Sequence, residues 1–239
     1  MKRAKIAITL LLTVLMLFTL TGCGKDPIVG VWECEIDFED YLVEMMDAEV
    51  KDELASVGVS LSFEDYISDV AFGYTAEFKE DGTYSMTADE DDVADMVDSF
   101  KASTSEYCTD LIKKICVAIA ASAGVQCTED TVEETMGMTV DEMAVEFLGM
   151  DIDAYVDSCY GDNLDANSLA EEMYNEGRYK TDGDKILLSA GLDYAVDPQY
   201  YDYYSIEGDS LKISYGTSEL GDDEEMMKRM YPLTFDRVQ

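Results

Sequence analysis

Runs of carboxylates are the most prominent chemical groups in the sequence. Two runs of four acids, Asp89-Glu90-Asp91-Asp92 and Asp222-Asp223-Glu224-Glu225, could offer oxygen ligands to Ca²⁺, and so could Asp162-Asn163-Leu164-Asp165 with Glu171. None of them has the spacing of an EF-hand loop, which needs alternate acids and a central glycine. Solvated loops and the first turns of helices explain the runs better, so we predict no metal site.

The sequence contains no recognisable set of catalytic residues. It has no histidine, which excludes Ser-His and Cys-His pairs and imidazole metal ligands. It also lacks a glycine-rich phosphate-binding loop and a Cys-x-x-Cys site. Two carboxylates can hydrolyse a glycosidic bond, but 53 Asp and Glu residues give no reason to select one pair. We therefore predict a non-enzymatic protein without a cofactor.

The charge of the chain limits its partners. The 16 Lys and Arg residues oppose 53 Asp and Glu residues, which gives a formal net charge of −37. Nucleic acids and anionic lipid headgroups are normally bound through basic surfaces, so we expect the protein surface to bind neither. Hydrophobic residues make up 47% of the chain, which is enough for a packed core and argues against disorder.

The first 22 residues have the pattern of an export signal. Three basic residues precede an apolar run at 6–20, which is shorter than the roughly 20 residues of a membrane-spanning helix. The run ends in Leu20-Thr21-Gly22-Cys23, which resembles the lipobox of bacterial lipoproteins. This resemblance implies cleavage before Cys23, lipid attachment to its sulfur, and a mature protein anchored at the cell membrane on the extracytoplasmic side. The alternative is an ordinary signal peptide with an incidental cysteine.

The remaining cysteines do not suggest a disulfide framework. An odd number leaves at least one thiol unpaired. Cys108 and Cys116 lie eight residues apart on one predicted helix, about 12 Å by helix rise, which is too far for a disulfide. We expect the cysteines to act as small buried residues, and a structural disulfide elsewhere is the alternative. The set comprises Cys34, Cys108, Cys116, Cys127 and Cys159.

Short strands at both ends of the mature sequence are expected to form the core. Apolar residues alternate with polar ones along these segments, and turns with glycine beside aspartate separate three pairs of them. About eight strands suit a closed antiparallel barrel, whose interior holds side chains or one small ligand. The strands are predicted at 28–36, 72–78, 84–87, 177–181, 185–190, 200–207, 210–215 and 232–238.

Helical periodicity replaces this alternation in two places. A helix is predicted at about 38–56, with Asp37 as its N-cap, and a helical insert is predicted over 88–176. Within the insert we expect one helical path broken near Ser103-Thr104-Ser105. We also expect a capping box at Thr139 and Glu142, and a cap by Ser168 with Glu171. The predicted fold class is therefore α+β, an antiparallel eight-stranded barrel or meander over 23–87 and 177–239 that is interrupted by the insert.

Several strand motifs resemble the lipocalin-like domains of bacterial lipoproteins. They are Gly30-Val31-Trp32 on the first strand, the hairpin segments 78–84 and 177–179, and the closing run 233–238. In lipocalins the tryptophan of this motif closes one end of the barrel and a late arginine packs on it. The resemblance therefore implies that Gly30, Trp32 and Arg237 have structural roles. The sequence departs from the family because it lacks the second lipocalin signature, Thr-Asp-Tyr, and because it carries the insert.

The resemblance also implies a role, the binding of an apolar or amphipathic small molecule. An acidic interaction module that contacts a basic envelope or host partner is the alternative, and a surface domain stabilised by Ca²⁺ is a third hypothesis. The ligand contacts expected on the barrel are Trp32, Phe72, Tyr74, Phe78, Tyr84 and Tyr203.

Overall fold

The computed structural model describes residues 26–160, 164–217, 228 and 230–238. The predicted signal peptide, Cys23 with its lipobox, and the acidic run at 222–225 lie outside the described residues, as do Asp162 and Asn163 of the third acidic group.

Eight antiparallel strands form a closed barrel in the described part of the chain, and they follow one another around it in chain order. The first and last strands close the cylinder, with Trp32 opposite Arg237. This architecture confirms the predicted α+β fold with an antiparallel barrel and a helical insert. The strands are β1 Gly30–Asp37, β2 Ala71–Phe78, β3 Thr83–Ala88, β4 Asn175–Asp182, β5 Lys185–Leu188, β6 Asp202–Glu207, β7 Ser210–Ser214 and β8 Leu233–Arg237.

The two ends of the barrel differ because of the lengths of their connections. The turns after β2, β4 and β6 are short and lie at one end, together with the start of β1. We call this the closed end. All the longer connections emerge at the opposite end, which we call the mouth.

The described helices belong almost entirely to connections at the mouth. Helix α1 follows β1, and the remaining helices lie between β3 and β4, where the insert was predicted. Two short 3-10 turns lie at Phe63–Asp65 and Glu129–Thr131. The helices are α1 Glu39–Ser56, α2 Glu90–Ser122, α3 Val132–Met136, α4 Val140–Leu148, α5 Ile152–Tyr160 and α6 Ala166–Met173.

Helix α2 runs without the break that was expected at Ser103-Thr104-Ser105, so that prediction is wrong. The Thr104 hydroxyl donates a hydrogen bond of 2.9 Å to the carbonyl of Phe100, one turn earlier in the helix. Thr104 is also buried against neighbouring helices. Because its hydroxyl is satisfied within the helix and its side chain is packed, the local preference of threonine for non-helical backbone is overridden.

Helix caps were predicted with mixed success. The capping box of Thr139 and Glu142 is present at the start of α4 and confirms the prediction. The N-cap of α6 is Asp165 rather than Ser168, whose own amide donates to the Asp165 carboxylate at 2.9 Å. At α1 the N-cap position is Phe38, although the carboxylate of Asp37 accepts the amide of Glu39 at 2.8 Å.

Three apolar clusters form the core. The closed-end cluster surrounds Trp32 and Phe235 inside the barrel. The mouth cluster joins strand residues such as Phe72 to α2 and α6, with α1 packed against it, so the helices cover the mouth. A third cluster packs α4 and α5 against the C-terminal half of α2. In the part of the chain that the structure describes, no helix has the length and apolar character needed to cross a membrane.

The cysteines beyond Cys23 are all unpaired in the structure. Cys116 is fully buried, as expected of a small core residue. Cys34, Cys108 and Cys127 are half-buried, and Cys159 is exposed, so the expectation of burial is wrong at Cys159.

Candidate ligand-binding site

The closed end of the barrel is sealed by contacts around Trp32. Its indole N–H donates a hydrogen bond of 2.7 Å to the carbonyl of Ile28. The guanidinium of Arg237 lies 4.0 Å from the centre of the indole ring, within the range of a cation–π contact. The same guanidinium donates to the carbonyls of Val29, at 3.0 Å, and Pro27, at 2.6 Å. The structure thus brings Trp32 and Arg237 together and ties the start of the described chain to β8.

Glycine is required at position 30 for two reasons. Its φ is +148°, a conformation that residues with a Cβ rarely adopt. A Cβ added there would also lie 2.6 Å from a guanidinium nitrogen of Arg237. The glycine of the Gly-x-Trp motif therefore makes room for the arginine that covers the tryptophan.

The other expected ligand contacts lie at different levels of the barrel. Phe78 and Tyr84 are buried in the closed-end cluster with Trp32, so they fill this end. Phe72 belongs to the mouth cluster, where its ring stacks on Phe38 at 5.7 Å. Tyr203 is 40% exposed and lies on the outer face of β6, so it cannot contact a molecule inside the barrel. The structure does not bring all six residues into one site.

Inward-facing residues between the closed-end and mouth clusters are incompletely buried. Tyr74 and Cys34 pack against both clusters, yet each keeps part of its surface accessible. The same is true of other inward-facing residues that meet the closed-end cluster from β3, β5, β8 and the segment before β8. The residues at this level are Cys34, Tyr74, Met86, Leu188, Tyr231 and Leu233.

Tyrosine hydroxyls connect this level to the segments around the mouth. Tyr74 donates a hydrogen bond of 3.1 Å to the carbonyl of Met173, at the end of α6. Tyr84 donates one of 2.8 Å to the carbonyl of Ser189, just after β5. Gly177 leaves space for the Tyr84 ring, because a Cβ at this position would lie 2.9 Å from a ring carbon. These two hydrogen bonds connect the barrel to the end of α6 and to the segment after β5.

Asp202 places a carboxylate inside the mouth. It begins β6 on the inward-facing side, is 6% exposed, and accepts hydrogen bonds from the amide of Gly216 at 2.9 Å and the hydroxyl of Tyr231 at 3.1 Å. Burial raises the pKa of Asp202 above its usual 3.8, and the two hydrogen bonds only partly oppose that effect. The tyrosine that binds it comes from the segment before β8.

Sequence reasoning did not select Asp202 or Tyr231. The alternation along β6 carried a signal for Asp202, because its inward-facing neighbours Tyr204 and Ile206 share its face. Tyr231 lies outside the strands and helices, so no alternation of apolar and polar residues in the sequence identifies it. It reaches the barrel only in the folded chain.

The titratable groups at this level stay protonated at neutral pH. Burial raises the pKa of the Cys34 thiol to about 12 and that of the Tyr74 hydroxyl to about 12. Burial, followed by the charge of Asp202, raises the pKa of Tyr231 further. A thiol in this state is a poor nucleophile, so these groups are suited to contact rather than to covalent chemistry.

The acidic runs that the structure describes have structural partners. Asp89 is the N-cap of α2 and accepts the amides of Asp91 and Asp92. The carboxylate of Asp92 accepts the amide of Gly73 on β2 at 2.9 Å. Asp165 caps α6. Over residues 26–160 and 164–217, with 228 and 230–238, no group of three or more Asp, Glu or Cys side chains is placed to hold a metal ion.

Comparisons of the chain with protein-family models, with curated proteins and with solved structures found no match.

Proposed function

We propose that this protein is a lipid-anchored extracytoplasmic lipoprotein that binds one small apolar or amphipathic molecule in the mouth of its barrel and catalyses no reaction. One observation carries the binding role. Between the buried closed-end cluster and the buried mouth cluster, the inward-facing residues of the barrel are only partly buried. An eight-stranded barrel has an interior just large enough for side chains or for one small ligand. Here the side chains fill the closed end and leave part of the surface of Cys34 and Tyr74 accessible.

The absence of histidine and the protonated state of the inner groups support a non-enzymatic role. The chain offers no imidazole base. The Cys34 thiol and the Tyr74 hydroxyl each have a pKa of about 12, so neither is a base or nucleophile at neutral pH. What the mouth provides is an apolar and aromatic lining with a few polar atoms, which is the usual composition of a small-molecule site.

The proposed anchor fits the closed end. The carboxylate of Asp26 accepts a hydrogen bond of 2.9 Å from the hydroxyl of Thr181, and Arg237 donates to the carbonyls of Pro27 and Val29. Cys23 precedes Asp26 by three residues, which reach at most about 11 Å. A lipid on Cys23 would therefore set the closed end towards the membrane, so the mouth and the helices that cover it would face away from the membrane.

Native mass spectrometry of the form that begins at Gly24 tests the binding role. We expect a purified sample to retain an organic adduct that is lost on unfolding. The neutral fluorescent probe N-phenyl-1-naphthylamine should bind to ligand-free protein and compete with that adduct. A bare mass together with no probe binding would contradict the proposal.

A pair of tryptophan substitutions on β3 locates the site. Met86 faces the interior and is partly accessible, whereas its neighbour Thr87 is exposed on the outer face. Met86→Trp should fill the level described above and abolish probe binding. Thr87→Trp places the same ring outside the barrel and should leave binding unchanged. Equal effects of the two substitutions would place the probe elsewhere on the protein.

The anchor has its own test, which does not depend on ligand binding. The full chain and its Cys23→Ser variant are expressed in a bacterium with a lipoprotein pathway and labelled with a radioactive fatty acid. We expect label and membrane association for the parent chain only. Label in both forms, or in neither, would contradict lipid attachment at Cys23.

A second function, contact with a basic protein partner, is favoured by apolar side chains exposed on the acidic insert. Val145 is 50% exposed, Phe147 48%, Ile119 45% and Val125 47%, the last just after α2. Such residues in an acidic setting suit a partner that is apolar at its centre and basic at its rim. Phe147→Ser should abolish capture of such a partner and leave probe binding intact, and capture that survives the substitution would argue against this surface.

A further inference from the structure

We propose that the molecule held in the mouth carries a positively charged ammonium group, which binds to the carboxylate of Asp202, and an apolar tail, which enters the barrel. This inference rests on the proposed small-molecule role and defines the chemical class of the ligand. It is carried by the burial of Asp202, by its hydrogen bonds and by the rings around it.

Asp202 is the only charged side chain that is buried among the residues the structure describes. Among the described residues its hydrogen-bond donors are the amide of Gly216 and the hydroxyl of Tyr231, and both are neutral. Among the described residues, no Lys or Arg nitrogen lies within 4.0 Å of its carboxylate. The charge of Asp202 is therefore not compensated by a basic side chain of the described chain.

An uncompensated buried carboxylate is costly, and proteins normally pair it with a cation. A carboxylate offers about four lone-pair positions, of which the two neutral donors use two. Burial also raises the pKa of Asp202, which shows that its surroundings favour the neutral form. A ligand ammonium would supply both the missing charge and the missing donors.

The rings next to Asp202 suit a cation. Tyr231, which binds the carboxylate, packs edge-to-face on Tyr215 with ring centres 5.9 Å apart. The ammonium of Lys228 lies 5.4 Å from the centre of the Tyr215 ring, so this aromatic pair already has a cation near one face. On the side of the barrel, Tyr74 contributes a third ring near Tyr231.

The charge of the whole chain points to the same ligand class. With a formal net charge of −37, the protein attracts cations and repels anions as they approach. A deprotonated fatty acid would be repelled by this negative field and then by Asp202 itself. An amine with an apolar tail is favoured at both stages, and its tail can occupy the level of Cys34 and Tyr74.

Two probes with the same fluorophore and alkyl chain, one with an ammonium group and one without, test the inference. Dansylcadaverine carries a primary ammonium on an alkyl chain, and its N-acetyl derivative has the same fluorophore and chain without the charge. Each is titrated into the form that begins at Gly24, and dansyl fluorescence is followed. We expect the ammonium probe to bind about tenfold more tightly or better, the effect of a hydrogen-bonded pair with a buried charge.

Matched amide substitutions distinguish the effect of Asp202 on binding from the effect of the overall negative charge of the protein. Asp202→Asn and Glu207→Gln each remove one negative charge from β6, but Glu207 is exposed on the outer face. In Asp202→Asn the affinity ratio of the two probes should fall to near one, with the neutral probe still bound. In Glu207→Gln the ratio should not change. Circular dichroism confirms that both variants are folded.

Salt dependence gives a second measurement that needs only the parent protein. Exposed charges are strongly screened between about 0.05 M and about 0.5 M NaCl, whereas a buried pair is screened much less. The affinity ratio should therefore persist at high salt, and a ratio that collapses to one would overturn the inference even if Asp202→Asn did not fold.

Equal affinities of the two probes, or a ratio that survives in Asp202→Asn, would overturn the inference and leave the proposed small-molecule role intact. If neither probe bound, the proposed role and this inference would both be wrong.

Discussion

The contact of Arg237 with Trp32 makes a quantitative prediction about the closed end. Arg237→Ala removes a partly buried hydrogen bond to Val29, an exposed one to Pro27 and a cation–π contact at 4.0 Å. The partly buried bond is worth about 1.5 kcal/mol and the exposed one about 0.5 kcal/mol, since water can replace the donor there. The ring contact adds about 1 kcal/mol. We expect the free energy of unfolding to fall by about 3 kcal/mol in total.

Urea unfolding followed by tryptophan fluorescence is the appropriate assay, because Trp32 is the only tryptophan and lies directly under the mutated side chain. The midpoint should move to lower urea without a change in slope. For a chain of this size the melting temperature should fall by about 6–12 °C, which circular dichroism can measure independently.

Two further substitutions make the result interpretable. Arg237→Lys keeps the charge but loses the planar group that stacks on the indole and reaches two carbonyls, so most of the loss should remain. Lys212→Ala removes an exposed cation from the neighbouring strand β7 and should change stability by less than about 0.5 kcal/mol. If Arg237→Ala cost no more than Lys212→Ala, the reasoning about the closed end would be refuted.

Three other predictions concern the mouth and the insert. Gly177→Ala should destabilise the fold by about 2 kcal/mol in urea unfolding, because its Cβ would press on the carbonyl oxygen of Ser189 and on the Tyr84 ring, and an unchanged midpoint would contradict this close packing. Thr139→Ala should lower the free energy of unfolding by about 1 kcal/mol through loss of the capping box. Ser168→Ala should lower it far less, because Asp165 is the N-cap of α6. Equal losses of stability in the two variants would contradict this assignment of the caps. Burial raises the pKa of Asp202 above 3.8, so its folded form holds the proton more tightly and the stability it contributes is lost as pH rises through the folded pKa. The stability of the parent protein relative to Asp202→Asn should therefore fall as the pH rises above 3.8, and a difference that grew with pH would contradict the raised pKa.

The parts of the fold that were predictable depend on local signals. Alternating strands around an aspartate-glycine turn specify a hairpin within a few residues, so β2 and β3 follow from the chain between Phe72 and Met86. The capping box at Thr139 is equally local. The contact between Trp32 and Arg237 joins opposite ends of the chain, and only the resemblance to lipocalin-like domains indicated it.

The errors arise where tertiary packing outweighs local preference. Thr104 lies in an uninterrupted helix because its hydroxyl bonds to Phe100 and its side chain is buried. The six expected ligand contacts were chosen as aromatic strand residues, but their levels in the barrel depend on register and strand stagger. Tyr203 therefore lies outside, while Trp32 and Phe78 fill the closed end. Asp202 was missed because an acid in an acidic chain is noticed only once its burial is known.

Different contacts stabilise the two ends of the barrel, and this difference bears on function. The closed end is held redundantly by a fully buried tryptophan, two carbonyl contacts and a guanidinium. At the mouth, single tyrosine hydroxyls tie separate segments to the barrel, as Tyr74 does at Met173 and Tyr231 does at Asp202. Any ligand that binds there and is specific for the folded state raises stability by mass action. The protein should therefore gain most in melting temperature from a ligand that also neutralises Asp202, since such a ligand removes the one buried charge that the described chain leaves unpaired.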